Sequence, residues 1–374
     1  MPDKRRTEVG DTIVVKTTGF QLLLDRLAQE GYVVLGPQVK DTTIVYDELS
    51  KMEQLPKGYA TVQSPGKFRL VADNNGRYFD FIPGAASWKK FLFPPRLNLF
   101  TLRKNGKGWQ AVEAQQAEKP LAFVGVRSCE LAAIQSQDKI FLREDFVDPY
   151  YHARRDQVFI VAINCLHPAG TCFCATMGTG PRAETGFDLC LTELDDHMLI
   201  NVGSALGRDM MMEIPSEPAS AFLVGTGDRA LQQASAEARC DIDPATCAEE
   251  ILANLDSPHW DEVSKRCLSC GNCTLACPTC FCWDATDATN LGGTETSRER
   301  VWDSCFNPSY SYQAGGNTRP NIRSRYRQWL SHKFGSWKEQ FGTLGCVGCG
   351  RCITWCPAGI DTRVEVATLQ KEAA

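Results

Sequence analysis

Two uninterrupted runs of apolar residues predict buried strands in the first half of the chain. Residues 121–126 and 158–163 contain no charged side chain and no alternating polar positions. Such runs are typical of parallel strands that are covered on both faces. A helix-like segment that begins at Ser128 separates them. Two strands joined by a helix within about 45 residues predict a βαβ unit and therefore a parallel sheet.

Shorter patterns predict further elements on both sides of this unit. Leu23, Leu24 and Leu27 recur at helical spacing within residues 20–29 and indicate an amphipathic helix that ends before Gly31. Weaker apolar segments predict strands near 33–35, 43–46, 189–191 and 198–202, and helices near 227–238, 246–255 and 321–334. The first part of the chain therefore has the pattern of a mixed α/β domain.

The last third of the chain carries two cysteine runs with identical spacing. They consist of Cys267, Cys270, Cys273 and Cys277 before Pro278, and of Cys346, Cys349, Cys352 and Cys356 before Pro357. The pattern C-x2-C-x2-C-x3-C-P is that of bacterial ferredoxins, in which three closely spaced thiolates reach the irons of one cubane. A structural zinc site needs only two C-x2-C pairs. The spacing therefore favours two [4Fe-4S] clusters over zinc or disulfides, and it predicts electron transfer.

The fourth cysteine of such a run normally binds the other cluster. With crossed ligation, the first cluster takes the thiolates of Cys267, Cys270, Cys273 and Cys356. The second cluster then takes those of Cys346, Cys349, Cys352 and Cys277. Uncrossed ligation, in which each run supplies all the ligands of one cluster, stays open as an alternative and uses the same eight residues.

Four further cysteines are predicted to meet at one edge of the parallel sheet. Cys129 and Cys165 each follow a predicted strand, and Cys172 and Cys174 lie in the loop after the second strand. The carboxyl edge of an open α/β sheet is where ligands bind. Cys190 competes for the fourth place, but its segment predicts a buried strand position. One buried cysteine usually behaves as a small hydrophobic residue, whereas four at one edge favour a third [4Fe-4S] cluster.

The two ferredoxin runs begin 79 residues apart, counted from Cys267 to Cys346. A compact bacterial ferredoxin needs far fewer residues, so the interval is either a long insertion or part of a helical ferredoxin. The helix-like segment at 321–334 favours the helical type. The expected fold class is α+β or α/β, with a mixed α/β domain over residues 1–258 and a helical, dicluster ferredoxin-like domain over residues 259–374.

Composition indicates the cellular compartment in which these sites work. The chain has 374 residues, 18 cysteines and a formal net charge of −5. It lacks a secretory signal at its start and any apolar run long enough to cross a membrane. So many cysteines without a signal favour a reducing compartment in which thiolates hold metal, and we expect a cytoplasmic protein. The sequence also lacks a G-x-G-x-x-G fingerprint, a P-loop and an H-E-x-x-H motif.

Two features between the runs stay unassigned. Cys280, Cys282 and Cys305 could be spare ligands, a redox pair or packing residues, although C-x-C is too short for a relaxed disulfide between Cys280 and Cys282.

Residues 304–338 contain six Lys or Arg residues, no Asp or Glu, and several aromatic residues. Such a stretch could bind single-stranded nucleic acid. Balancing anionic clusters or docking an acidic partner is the stronger interpretation, so no nucleic-acid partner is expected.

The cysteine-bearing segments together resemble a known family. The segments are Gly125-Val-Arg-Ser-Cys-Glu-Leu, Thr171-Cys-Phe-Cys-Ala-Thr-Met-Gly-Thr-Gly-Pro, Cys277-Pro-Thr-Cys-Phe-Cys, Trp302-Asp-Ser-Cys and Cys346-Val-Gly-Cys-Gly-Arg-Cys. They are similar to the iron–sulfur β subunit of cytoplasmic sulfhydrogenases, the NAD(P)-linked [NiFe] hydrogenases, and to the A subunit of anaerobic sulfite reductase. Where the family often has Pro-Cys-Asp, this chain has Ser128, Cys129 and Glu130, so the cysteine is retained.

The resemblance covers most of the chain and implies a non-catalytic subunit of a soluble multisubunit complex. Such a subunit would relay electrons between a flavin-containing NAD(P)H-reactive subunit and the small and large subunits of a [NiFe] hydrogenase. The alternative catalytic partner is that of a siroheme sulfite reductase. A self-contained iron–sulfur oxidoreductase is a further alternative, and it would need a flavin or substrate pocket within residues 1–260.

Overall fold

The computed structural model describes residues 7–112, 119–143 and 145–373. Its strands are, in chain order, β1 (Thr12–Lys16), β2 (Val33–Lys40), β3 (Thr43–Glu48), β4 (Tyr59–Ser64), β5 (Lys67–Ala72), β6 (Arg96–Asn105), β7 (Gly108–Val112), β8 (Leu121–Arg127), β9 (Phe159–Ile163), β10 (Leu189–Glu193), β11 (His197–Val202), β12 (Glu217–Pro218), β13 (Trp283–Thr289), β14 (Glu295–Trp302), β15 (Tyr312–Gln313) and β16 (Gly316–Asn317).

Its α-helices are α1 (Phe20–Gln29), α2 (Lys89–Leu92), α3 (Ser128–Phe141), α4 (Pro149–Arg155), α5 (Ala205–Met211), α6 (Ala221–Glu237), α7 (Cys247–Ala253), α8 (His259–Arg266), α9 (Asn272–Leu275), α10 (Ile322–Ser331), α11 (Trp337–Phe341), α12 (Arg351–Thr354) and α13 (Thr362–Ala373). Two 3-10 turns lie at Thr17–Gly19 and Met52–Gln54, and a π-helical segment at His332–Ser336. Within the described ranges, no helix is long and apolar enough to cross a bilayer.

An eight-stranded sheet in the order β12-β1-β11-β10-β9-β8-β2-β3 forms the centre of the first part of the chain. Four adjacent strands, β10, β9, β8 and β2, run parallel to one another. All five residues of β9 are buried. The side chains of β9 alternate between two apolar layers, because Phe159 and Val161 enter one core and Ile160 and Ala162 enter the other. The predicted βαβ unit, β8-α3-β9, is therefore present.

Helices and aromatic residues cover both faces of this sheet. On one face, α1 buries Leu23, Leu24 and Leu27, as its leucine spacing predicts. On the other face, the fully buried Trp88 stacks between Tyr46 and Phe123, with ring centroids 4.0 Å and 4.6 Å away. This covering explains why the central strands carry continuous apolar runs.

A second, four-stranded antiparallel sheet joins distant parts of the chain. Its order is β13-β14-β6-β7. The hairpin of β13 and β14 lies between the two cysteine runs, and β14 pairs with β6 from the first third of the chain. Every residue of β13 is exposed, so its sequence shows no apolar alternation. The interval between the runs thus contains an inserted hairpin as well as helices.

The later helices pack around a third apolar core. Helices α7, α8, α10 and α13 contribute Ile251, Val263, Leu330 and Val366, and all four side chains are fully buried. Helix α10 continues directly into the π-helical segment His332–Ser336. Several cysteines of both runs pack against this core. The fold class predicted from the sequence is confirmed, while the domain boundary near residue 258 stays a prediction.

Candidate iron–sulfur sites

Both cysteine runs fold into the same loop followed by a short helix. A glycine in the left-handed conformation precedes each helix, Gly271 (φ 77°) before α9 and Gly350 (φ 73°) before α12. Two residues earlier, Ser269 and Gly348 also have positive φ angles. Since the backbone reverses twice within a few residues, the first three cysteines of each run come to lie around one cavity.

The first cavity is lined by cysteines from both runs. Cys267, Cys270 and Cys273 line it together with Cys356 of the second run, and its volume is about 420 Å³ when the space open to solvent is counted. Cys352 of the second run also lines this cavity. The four thiols that crossed ligation assigns to the first cluster therefore share one cavity.

The second cavity has the reciprocal composition. Cys346, Cys349 and Cys352 line it together with Cys277 of the first run, around about 360 Å³ of space counted in the same way. Within the described ranges, no three Cys, His, Asp or Glu side chains converge closely enough to hold one metal ion. Each cavity thus brings together the four thiols that the ligand count of one [4Fe-4S] cluster requires.

Buried hydrogen-bond donors without a partner among the described residues also fit an iron–sulfur cluster in the first cavity. The indole Nε1 of Trp329, the hydroxyl of Tyr326 and the guanidinium Nε of Arg325 are buried without a hydrogen-bond partner among the described residues. Trp329 and Tyr326 line the first cavity. Hydrogen bonds to the sulfur atoms of an iron–sulfur cluster help to set its potential. The thiols and donors present thus suit a [4Fe-4S] cluster, which supplies one-electron transfer when bound.

A buried lysine lies against the second cavity. The Nζ atom of Lys333 donates to Cys277 Sγ at 3.2 Å, to Thr279 Oγ1 at 2.8 Å and to the Gly345 carbonyl at 3.1 Å. Burial by itself would lower the pKa of this ammonium group, but the nearby Cys277, Cys280 and Cys346 sulfurs hold that pKa well above its usual value. Lys333 therefore places a positive charge beside the sulfur ligands.

The four cysteines predicted at the sheet edge lie close together beside the second cavity. Cys165 and Cys172 share one small buried cluster. Burial raises the pKa of the Cys174 thiol, and the neighbouring Cys172 and Cys165 raise it further. Burial likewise raises the pKa of Cys129, with contributions from Cys349 and Cys174. We call these four residues the sheet-edge site.

Cys190, the competing residue, lies elsewhere. It is buried in β10 among the apolar side chains of the second core, as its sequence context predicts.

Backbone and side-chain contacts join the sheet-edge site to the second run. The amide of Phe173 donates to the Gly348 carbonyl at 2.8 Å. The hydroxyls of Thr171 and Thr354 hydrogen bond at 2.8 Å. Arg351, the residue after Gly350, forms a buried ion pair with Glu130, the residue after Cys129. The sheet-edge site and the second cavity therefore share a wall.

Two cations and four aromatic rings of the basic stretch between the runs are internal. Arg325 and Lys333 are buried. The aromatic side chains of the same segment that are also buried are Tyr326, Trp329, Phe334 and Trp337. Arg323 and Arg327 form ion pairs with Asp261 and Asp256. These aromatic rings are not available for stacking on bases, and the buried cations lie beside cysteines instead.

Sequence reasoning missed Arg351 and Glu130 as neighbours of the cysteines, and it included Lys333 only as one of six cations in the basic stretch. One signal was available for Lys333, because it lies four residues after Trp329 on the apolar face of the predicted helix. A charge in that position indicates a buried partner. The structure also brings Cys280, Cys282 and Cys305 to one cavity of about 880 Å³, counting the space open to solvent.

Comparisons with known proteins identify the family of the chain. The 4Fe-4S dicluster domain family matches residues 266–360. Sulfhydrogenase 2 subunit beta of Pyrococcus furiosus is 32% identical over 351 residues, which cover 91% of this chain and 93% of that protein. No solved structure matches the chain. The dicluster match and this relative identify an iron–sulfur electron-transfer protein, and the chain belongs to the family of sulfhydrogenase beta subunits.

Proposed function

We propose that the chain is the electron-relay subunit of a soluble [NiFe] hydrogenase complex. In this role it passes electrons between a flavin-containing NAD(P)H-reactive subunit and the small and large hydrogenase subunits. The named relative, a beta subunit of a sulfhydrogenase, supports the hydrogenase setting. The observation that carries the proposal is the succession of cysteine-lined sites that share walls.

These sites follow one another without a gap. Cys352 and Trp329 line both the first and the second cavity. Cys349 of the second cavity lies close enough to Cys129 and Cys174 to affect their pKa values. Since electron tunnelling falls steeply with distance, sites that share walls suit a relay in the order sheet-edge site, second cavity, first cavity.

The chain's own residues bind and shield the clusters. We assign Cys267, Cys270, Cys273 and Cys356 to the first cluster and Cys346, Cys349, Cys352 and Cys277 to the second. A third [4Fe-4S] cluster is assigned to Cys129, Cys165, Cys172 and Cys174. The apolar third core packs against cysteines of the first two sites, and buried Arg325, Lys333 and Arg351 offset the negative charge of thiolate ligands.

Crossed ligation can be tested by electron paramagnetic resonance. Cys356→Ala should alter the same reduced-cluster signal as Cys270→Ala, because both residues line the first cavity. Cys277→Ala and Cys349→Ala should together alter the other signal, because both line the second cavity. If Cys356→Ala instead perturbs the signal that Cys349→Ala perturbs, each run binds its own cluster and the crossed assignment is wrong.

The relay role can be tested in the assembled complex. Cys349→Ala should abolish NAD(P)H-linked turnover, because a gap opens in the middle of the relay. Dye-linked activity of the catalytic partner and diaphorase activity of the flavin subunit should persist. Cys190→Ala, at a buried cysteine in β10 away from the sites, is the matched control and should keep linked turnover. An assembled Cys349→Ala complex that couples both half-reactions at the normal rate would refute the relay.

The partner itself can be identified from the native complex. Purification followed by metal analysis should find nickel in a hydrogenase assembly. Siroheme absorption in place of nickel would instead identify the sulfite reductase partner. Flavin bound to the isolated chain would favour a self-contained oxidoreductase.

A further inference from the structure

The hairpin of β13 and β14 brings together two cysteines that are distant in sequence. Trp283 at the start of β13 pairs with Trp302 at the end of β14. Beyond this pair, the amide of Asp303 donates to the Cys282 carbonyl at 3.0 Å. This register places Cys282 opposite the segment that leads directly to Cys305. The two thiols therefore meet because of strand pairing, which their sequence spacing does not reveal.

The two thiols line one cavity, and the Tyr310 hydroxyl lies on the same wall. The neighbouring Cys305 side chain lowers the pKa of Cys282 to about 6 against the opposing effect of burial, and Cys282 in turn raises the pKa of Cys305. A nucleophilic thiolate beside a protonated thiol is the arrangement of redox-active dithiols.

The pair faces a cavity that reaches the second cluster site. Cys280, Cys282, Cys305 and Tyr310 line this cavity, and so does Lys333, which also lines the second cavity. Its volume is about 880 Å³ when the space open to solvent is counted. Arg319 lies on the wall, and among the described residues that line the cavity there is no Asp or Glu. The cavity therefore has room and charge for a small anionic molecule.

We propose that Cys282 and Cys305 form a redox-active dithiol that reduces low-molecular-weight disulfides bearing acidic groups. This activity goes beyond electron relay, although its electron supply rests on the proposed second cluster.

The proposed reaction balances in two stages. The Cys282 thiolate attacks one sulfur of the disulfide R–S–S–R, whose S–S bond breaks, and one thiol R–SH leaves after taking up a proton. The Cys305 sulfur, after losing its proton, then attacks the Cys282 sulfur and releases the second R–SH. This leaves a Cys282–Cys305 disulfide. Two electrons delivered singly from the cluster site, together with two protons, restore both thiols, so that R–S–S–R is converted to two R–SH.

The first experiment measures the pair without using the relay. Anaerobic holoprotein is equilibrated with mixtures of reduced and oxidised glutathione, alkylated, digested and examined by mass spectrometry. We expect a disulfide-linked peptide pair that contains Cys282 and Cys305, with unchanged iron content. Cys305→Ser should abolish this link, whereas Cys280→Ser, at a cysteine on the same wall, should keep it. No Cys282–Cys305 link at any glutathione ratio, or loss of iron from Cys305→Ser, would overturn the proposal.

The second experiment measures turnover. Holoprotein supplied with electrochemically reduced methyl viologen should reduce glutathione disulfide, and Cys305→Ser should slow this by roughly tenfold or more because the mixed disulfide is not resolved. Equal turnover in Cys305→Ser would refute the activity.

The Cys349→Ala variant separates the dithiol proposal from the relay proposal. If it keeps the Cys282–Cys305 link but loses turnover, the second cluster supplies the electrons; if turnover continues, the dithiol stands and that supply route is wrong.

Discussion

The ammonium group of Lys333 lies within hydrogen-bonding distance of a sulfur atom that we assign to the second cluster. A buried charge is costly unless an opposite charge and hydrogen bonds compensate it. Thr279 and the Gly345 carbonyl supply hydrogen bonds, and the thiolate ligands supply the negative charge. Reduction adds one more negative charge to such a cluster, so Lys333 should stabilise the reduced form.

Replacing this lysine should therefore lower the midpoint potential of one cluster. We expect Lys333→Met to shift the potential of the second cluster downward by on the order of 50 mV, since a tenfold change in a one-electron equilibrium corresponds to about 59 mV. A redox titration followed by electron paramagnetic resonance measures this shift. Lys338→Met is the control, because Lys338 is exposed and donates to the Ala245 carbonyl rather than to a cysteine sulfur. An unchanged potential in an iron-loaded Lys333→Met protein would contradict the electrostatic role.

At the residue scale, cysteine spacing alone was enough to group the thiols of each run. The covalent geometry of C-x2-C-x2-C leaves few ways to arrange three thiols around one centre. The charged neighbours could not be predicted in the same way. Lys333 comes from the π-helical segment and Glu130 from α3, so their positions depend on how separate elements pack.

At the scale of elements, two glycines of the second run, Gly348 and Gly350, allow its close approach to the sheet-edge loop. Gly348 has φ 62°, and a Cβ atom there would lie 2.6 Å from the backbone of Phe173 and Cys174. Such a distance requires the backbone to move. The Phe173 amide that donates to the Gly348 carbonyl would move with it.

Gly348→Ala should consequently separate the loop from the run. We expect the variant to lose about four or more irons per chain, one cubane's worth, from the sites on both sides of this contact. Gly342→Ala is a matched control, since Gly342 has φ 74° but a Cβ atom added there would meet nothing within 4 Å. That control should suffer only the backbone cost of a left-handed alanine, roughly 1–2 kcal/mol. Equal iron content in both variants would show that this contact is dispensable.

The elements differ in how far sequence could predict them. The β8-α3-β9 unit was predictable because its strands are covered on both faces and carry unbroken apolar runs. The β13–β14 hairpin was not, since β13 is exposed throughout and its partner β6 lies far away in sequence. The meeting of Cys282 with Cys305 depends on this hairpin, which explains why the sequence left those two cysteines unassigned.

At the scale of the whole molecule, three cysteine sites predict the iron content. Anaerobically prepared protein should contain about twelve irons per chain, at four per cubane. Cys165→Ser should lower this value toward about eight, because Cys165 belongs only to the sheet-edge site. Cys190→Ser, at a buried cysteine in the sheet, should leave the value unchanged. About eight irons in the unaltered protein, with no further loss in Cys165→Ser, would remove the third cluster.

The shared walls of the two cavities also bear on how the protein is made. The ribosome produces Cys267, Cys270 and Cys273 well before it reaches Cys356, which completes the wall of the first cavity. The second cavity likewise combines the early Cys277 with the late Cys346. A nascent chain that ends between the two runs has neither set of four thiols. Under the crossed assignment that we propose, delivery of iron and sulfide to both cavities would wait until the second run has been synthesised and has folded back onto the first.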